Sequence, residues 1–216
     1  MSRQHPYYPL FLDLDGRHVL LAGGGSVSAR KAEALLRAGA RVTVVAPDVA
    51  AELARLAPPL TIVRRPFEAS DLDGQFLVFA ATNDAAVNAR IAEECHARGI
   101  LVNVADATEL CDFIVPAVIE RDSVQVALST GGKSPALARA LRRELEAAVG
   151  PEWAELNDLL GELRERAIAA LPTDADRKRL FDAIVASDAL ALLREGRREE
   201  ALATIARLCD AAGVPR

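Results

Sequence analysis

The stretch HVLLAGGGSVSARKAEALLRAGARVTVVAPD, from His18 to Asp48, changes its hydrophobic period twice. Val19 to Ala22 form a continuous apolar run, as a strand buried on both faces does. Ala29, Ala32, Leu35, Leu36 and Gly39 then recur at helical spacing, and a second apolar run, RVTVVA, follows. Three glycines sit at the first join. A buried strand, a glycine turn, a helix and another buried strand form a unit that a parallel sheet accommodates and an all-helical or alternating β fold does not.

From Arg17 to Val104 the pattern reads strand, helix, strand, helix, strand, strand, helix, strand. The strands are HVLLA, RVTVVA, LTIVR, FLVFAAT and ILVNVA, and the helices are expected to begin near Ser26, Asp48 and Asp84. This predicts a Rossmann-type α/β domain, a parallel sheet covered on both faces, over residues 1–113. FIVPAVIER and SVQVALST, parted at Asp122, then predict an antiparallel hairpin. Ser134 as N-cap, Pro135 at the first helical position and Gly150 as stop bracket one helix. The hairpin and this helix make a central region, residues 114–150, whose surplus apolar faces predict homodimerisation. Residues 151–216 read as a helical domain: Trp153, Leu156, Leu159, Leu160 and Leu163 mark one apolar face, Thr173 caps a second helix, and a third spans roughly Arg198 to Cys209.

With 216 residues the chain can bury a real core. It is 51% hydrophobic, yet no run approaches the ~18 apolar residues of a membrane span, and its start lacks the apolar centre of a signal peptide. A cytoplasmic protein without a membrane partner is expected. Cys95, Cys111 and Cys209 are odd in number and far apart, which argues against a disulfide framework and fits a reducing compartment. His5, His18 and His96 are equally scattered, so no resident metal site is expected. The formal charge of −5 disfavours nucleic acid. A local basic pocket for a small anion stays open, from Arg64, Arg65, Lys133, Arg139, Arg142 and Arg143, as does the plainer reading of solvated helix charges.

Gly23 and Gly25 meet the first two positions of the dinucleotide fingerprint, while Ser28 stands where glycine or alanine is expected. The chemistry asks for a tight turn, a close backbone approach to a pyrophosphate and free N–H groups at the helix start. Asp48 arrives slightly late for the ribose hydroxyls, so it either reaches them or caps the next helix. No arginine sits at that strand end for a 2′-phosphate, which favours NAD over NADP. Thr82 and Asn83 end the fourth strand, and Asn103, Asp106 and Asp112 emerge at the fifth, at the edge where open α/β sheets bind ligands. A carboxylate there could take a proton while hydride leaves to nicotinamide, or could simply form a turn. STGGKSP, with Thr130, Gly131, Gly132, Lys133 and Ser134, reads as an anion cradle or as a tight connection with an N-cap.

Taken in order, GGGxVxxRK, NVxD, FIxPAxxxR and S[ST]GGxSPxLAR resemble the N-terminal region of siroheme synthase, also found alone as precorrin-2 dehydrogenase/sirohydrochlorin ferrochelatase. The likeness runs in blocks from Tyr7 to Arg139 and is least after about Pro151. It implies NAD-dependent oxidation of precorrin-2, a tetrapyrrole, to sirohydrochlorin, and in some members insertion of Fe²⁺ to form siroheme. It implies a Rossmann domain, a central dimerisation region and a helical part. It also implies that Asp106 is the essential aspartate and that Gly23, Gly24, Gly25, Ser26, Val27, Thr82 and Asn83 hold the cofactor. Two other functions remain: a dehydrogenase without chelatase activity, and a dimeric NAD-sensing module that does no chemistry.

Overall fold

The computed structural model describes residues 7–56 and 60–215. The chain divides into two compact units, residues 1–115 and 116–216.

In the first unit the strands β1 (His18–Ala22), β2 (Arg41–Val45), β3 (Leu60–Val63), β4 (Leu77–Ala80) and β5 (Leu101–Val104) form one sheet in the order β3-β2-β1-β4-β5. Every pairing is parallel. The helices α1 (Ser26–Arg37), α2 (Ala51–Ala54) and α3 (Ala85–Arg98) connect them. Alternate residues of the central strands feed two separate cores. Leu21, Val44 and Phe79 pack with Ala32 and Leu35 of α1, whereas Leu20, Val78 and Val102 pack with Ile91 and Cys95 of α3. Both faces of the sheet are therefore dry, which is why the strands read as unbroken apolar runs. α3 starts where Asp84 caps it, the carboxylate accepting from Ala86 N at 2.8 Å and Val87 N at 3.2 Å, and it stops at Gly99 in the left-handed conformation.

The helix expected near Asp48 is a correction. α2 is a single turn, its N-cap is Ala50, and no side chain caps it. The segment before it braces the glycine turn: the chain bends at Pro47 and Asp48, and Ala50, in extended conformation, donates its N–H to Gly24 O at 2.8 Å, so the helix starts only at Ala51.

In the second unit, β6 (Ala117–Arg121) and β7 (Val124–Leu128) form the antiparallel hairpin, turning at Asp122 with φ +43°. α4 (Pro135–Ala148) is capped by Ser134, whose hydroxyl accepts from Leu137 N at 3.1 Å. Its other end is closed by Arg121, which donates to Val149 O at 2.9 Å and Glu146 O at 3.3 Å. The helices α5 (Glu152–Ala170), α6 (Asp174–Val185), α7 (Ala189–Arg194) and α8 (Arg198–Ala212) follow. They share a core of Leu156, Leu163, Leu180, Ile184, Leu192 and Ile205. α7 lay outside the sequence reading, since its six residues are too short to display a period. Among the described residues, no helix is long and apolar enough to cross a membrane.

Candidate functional site

The turn between β1 and α1 uses its three glycines for different reasons. A Cβ on Gly23, at φ +123°, would lie 2.2 Å from Ala81 O, and one on Gly24 would lie 2.1 Å from Asp48 O. Both positions are closed by the protein's own backbone. Gly25, the N-cap of α1, has ordinary extended backbone, φ −81° and ψ −174°, and a Cβ there would meet nothing within 4 Å, so beyond glycine's suitability as a cap neither strain nor packing requires it. A ligand passing close to the backbone does. Behind Gly25, α1 has no side-chain cap and no acidic residue in its first turn, so the N–H groups of Ser26, Val27 and Ser28 have no partner within the helix. Gly25, Ser26 and Val27 are exposed. An open glycine ahead of bare, exposed N–H groups fits a pyrophosphate. Ser28 is wholly buried and its hydroxyl has no partner among the described residues, so its small size, not its polarity, suits the position. Asp48 is exposed and does not cap the helix that follows it.

At the end of β4, Thr82 is tied down by Asn88. Thr82 N and Oγ1 donate to Asn88 Oδ1 at 3.0 and 2.8 Å, and Asn88 Nδ2 donates back to Thr82 O at 3.0 Å. Sequence reasoning missed Asn88, a buried amide that rigidifies this exit; an asparagine inside an otherwise apolar helix face was the available signal. Asn83 stands exposed beside it.

The exit of β5 is the most heavily cross-tied part of the unit. Asn103 Oδ1 accepts from Lys31 Nζ at 3.2 Å, and its Nδ2 donates to Phe113 O at 3.0 Å. Its amide is thus engaged within the protein. Cys111 Sγ accepts from Val104 N at 3.1 Å and lies 3.3 Å from both Val104 O and Ala107 O. Asp112 exchanges two bonds with Val102: its carboxylate accepts from Val102 N at 3.0 Å, and its own N–H donates to Val102 O at 2.9 Å. Its other oxygen lies 3.4 Å from His96 Nε2. Asp106 sits in the arch between these ties. It is exposed, adopts φ +59°, a left-handed conformation that aspartate tolerates better than most residues, and makes no side-chain bond among the described residues. Because β1, β4 and β5 are neighbours, the glycine turn, the Thr82–Asn83 exit and the Asp106 arch line one sheet edge.

In the second unit the STGGKSP turn closes on itself. Thr130 Oγ1 bonds both Ser134 O, at 3.0 Å, and Ser134 N, at 3.3 Å, while Gly131 and Gly132 take φ +64° and +77°. Lys133 is exposed. The remaining basic residues do not all stand free for an anion: Arg65 makes a double hydrogen bond to Asp71, and Arg142 lies 3.7 Å from Glu146. Among the described residues, no group of three or more His, Cys, Asp or Glu could hold a metal ion.

Comparison with known proteins gives the family of the first unit. Residues 10–117, half of the chain, match the putative NAD(P)-binding family model. The chain belongs to that family. Behind this domain it matches the sirohaem biosynthesis protein central region over residues 121–148 and the sirohaem synthase dimerisation region over 152–208. The dimerisation label thus falls on the helices, C-terminal to the segment 114–150 to which sequence reasoning attached it. Siroheme synthase of Methylococcus capsulatus is 42% identical over 208 residues, 95% of this chain and 44% of that protein. Siroheme synthase 2 of Aeromonas hydrophila is 42% identical over 189 residues, 88% of this chain and 40% of that protein. The chain therefore spans about two-fifths of the length of these relatives. The solved structure of SirC, a precorrin-2 dehydrogenase, superposes with a TM-score of 0.77 at 29% identity, covering 93% of this chain and 100% of that one. Fold and family are those the sequence motifs implied.

Proposed function

We propose that this chain oxidises precorrin-2 to sirohydrochlorin with NAD as the acceptor. The observation that carries the reading is Gly25, a glycine that neither strain nor packing requires, at a helix start without a side-chain cap, on the same sheet edge as an aspartate without a side-chain partner among the described residues. The similarity to siroheme synthases and to a precorrin-2 dehydrogenase supports the choice of substrate.

In this reading Gly23, Gly24, Gly25, Ser26 and Val27 receive the pyrophosphate, Asp48 the ribose hydroxyls, and Thr82 and Asn83 line the way toward the β5 exit. NAD, when bound, supplies the hydride acceptor. A C–H bond of the substrate breaks with its electron pair leaving as hydride, and an Asp106 carboxylate oxygen takes the accompanying proton, so the tetrapyrrole loses two hydrogens. Asn103, already engaged with Lys31 and Phe113, supports the edge more than it meets substrate. Lys133 and the backbone of Gly131 and Gly132 meet substrate carboxylates, while the hydroxyls of Thr130 and Ser134 shape their turn. Fe²⁺ insertion would use the same Asp106 to accept ring protons. The protein works as a homodimer: α4 buries none of its residues in the chain and exposes Leu137, Leu141 and Leu145 at four-residue intervals. A monomer at micromolar concentration with full activity would remove that part. Cys95, Cys111 and Cys209 are buried thiols, which supports a reducing compartment, the cytoplasm.

The deciding experiment is Asp106→Asn, assayed for precorrin-2 oxidation by absorbance and for Fe²⁺ or Co²⁺ insertion into sirohydrochlorin. Oxidation is expected to fall roughly 10²–10⁴-fold, the range for a general base, with NAD binding retained. Near-normal oxidation would overturn the role of Asp106. Lost oxidation with normal metal insertion would separate the two activities.

A further inference from the structure

We infer that Lys31 is a positioning residue for the oxidation: acting through Asn103, it locks the exit of β5 so that the left-handed turn presents Asp106. The inference rests on the reading of Asp106 as the proton acceptor.

Lys31 lies on α1, the helix whose first turn faces the proposed pyrophosphate, and its ammonium reaches across the sheet to β5. Nζ is 3.2 Å from Asn103 Oδ1 and 4.5 Å from the centre of the Phe79 ring. Among the described residues no carboxylate lies within ion-pair distance of this half-buried cation; its direct contacts are the Asn103 amide and the Phe79 ring, with the Cys111 thiol and Arg30 as its electrostatic neighbours. Burial pushes its pKa below the ordinary lysine value. A lysine whose folded pKa is lowered costs stability at every pH below that value, and the cost fades as pH rises toward the unfolded value near 10.4. At neutral pH burial therefore works against the charge of Lys31, and its contacts with Asn103 and Phe79 are what hold it in place.

Its geometry shows what that function can be. An ammonium only donates, so it compels the Asn103 amide to turn its oxygen toward α1 and its nitrogen toward Phe113 O, 3.0 Å away. That bond ties β5 to the chain on the far side of the arch. Cys111 and Asp112 add the remaining ties, to Val104 and Val102. Residues 102–104 and 111–113 are in this way stitched together, with Asp106 at φ +59° in the span between. Without the ammonium, Asn103 Oδ1 loses its donor and the amide is held only at its nitrogen, by Phe113 O at 3.0 Å and Cys111 Sγ at 3.7 Å, so the arch loosens while the rest of the sheet stays packed.

The experiment compares Lys31→Met, Lys31→Arg, Asp106→Asn and the double variant Lys31→Met/Asp106→Asn in the full chain. The measurements are kcat and KM for precorrin-2, NAD affinity by titration and thermal midpoint. For Lys31→Met we expect kcat to fall about 10- to 100-fold, the effect of a misplaced catalytic group, with NAD affinity and midpoint unchanged. Lys31→Arg, which keeps a donor-only cation, should recover most of kcat. In the Asp106→Asn background Lys31→Met should cost nothing further, since the group it positions is gone. Three results would each overturn the inference: a kcat within about twofold of the parent, a loss that multiplies with that of Asp106→Asn, or NAD affinity falling in step with kcat. Should Lys31→Met lower the thermal midpoint, Lys31→Gln, which keeps a donor without the charge, is judged by the same criteria. Near-normal oxidation by Asp106→Asn would remove the base reading and this inference together, whereas loss there with a fully active Lys31→Met removes the inference alone.

Discussion

Two glycine-rich turns lead into helices in this chain, and they solve the same backbone problem in opposite ways. At Gly23–Gly25 the helix behind is uncapped and one glycine faces open space. At Gly131–Gly132 both glycines are left-handed, Pro135 removes one N–H, Ser134 answers another, and Thr130 closes the loop over Ser134. The second turn takes its glycines for conformation. The first takes two because neighbouring backbone closes on them, and its third faces open space. A glycine before a helix is thus a signal for a ligand only when neither φ nor a neighbouring atom accounts for it.

The sharpest way to break this comparison is Gly25→Val. Its backbone is unstrained and its surroundings are empty, so the protein should fold with an unchanged thermal midpoint, while NAD affinity falls by roughly 100-fold, or about 2.7 kcal/mol. Retained affinity would move the cofactor elsewhere. Gly131→Ala should do the reverse. At φ +64° an alanine costs about 1 kcal/mol, a drop of roughly 2–4 °C in the thermal midpoint, with NAD affinity untouched. If calorimetry shows no destabilisation, the conformational account of the second turn is wrong. The smallest effect belongs to Lys133→Gln, which removes an exposed charge without disturbing the turn. The KM for precorrin-2 should rise about threefold at low ionic strength, and the difference should vanish in high salt, as for any solvent-exposed charge pair. A KM that is equal at low salt would deny Lys133 a part in binding carboxylates.

Much of the first unit was legible because its signals are local. HVLLA is β1 residue for residue, the helix start at Ser26 is where the glycines end, and Asp84, Ser134 and Thr173 cap the helices expected of them. Each depends on periodicity or on a side chain a few residues from the backbone group it satisfies. The failures share the opposite property. Asp48 failed as a helix start because its segment is braced by Gly24, more than twenty residues earlier in the chain. Asn103 looked like a ligand-facing amide at a strand end, and Lys31 and Phe113 hold it instead. Cys111 was read only as one of three scattered cysteines and Lys31 only as the last residue of GGGxVxxRK, since nothing in the local pattern names the partner of either.

By itself the sequence determined the order of buried strands and helices, the parallel sheet they require and the glycine turn at its edge. These follow from hydrophobic period and backbone chemistry, which act within a turn or a strand's length. Only the tertiary structure decided which of three glycines faces open space, that Asp106 has no side-chain partner among the described residues, and that Lys31 reaches Asn103 on a distant strand. Those properties belong to pairs of groups far apart in sequence, and a side chain's partners exist only once the sheet has brought their strands side by side.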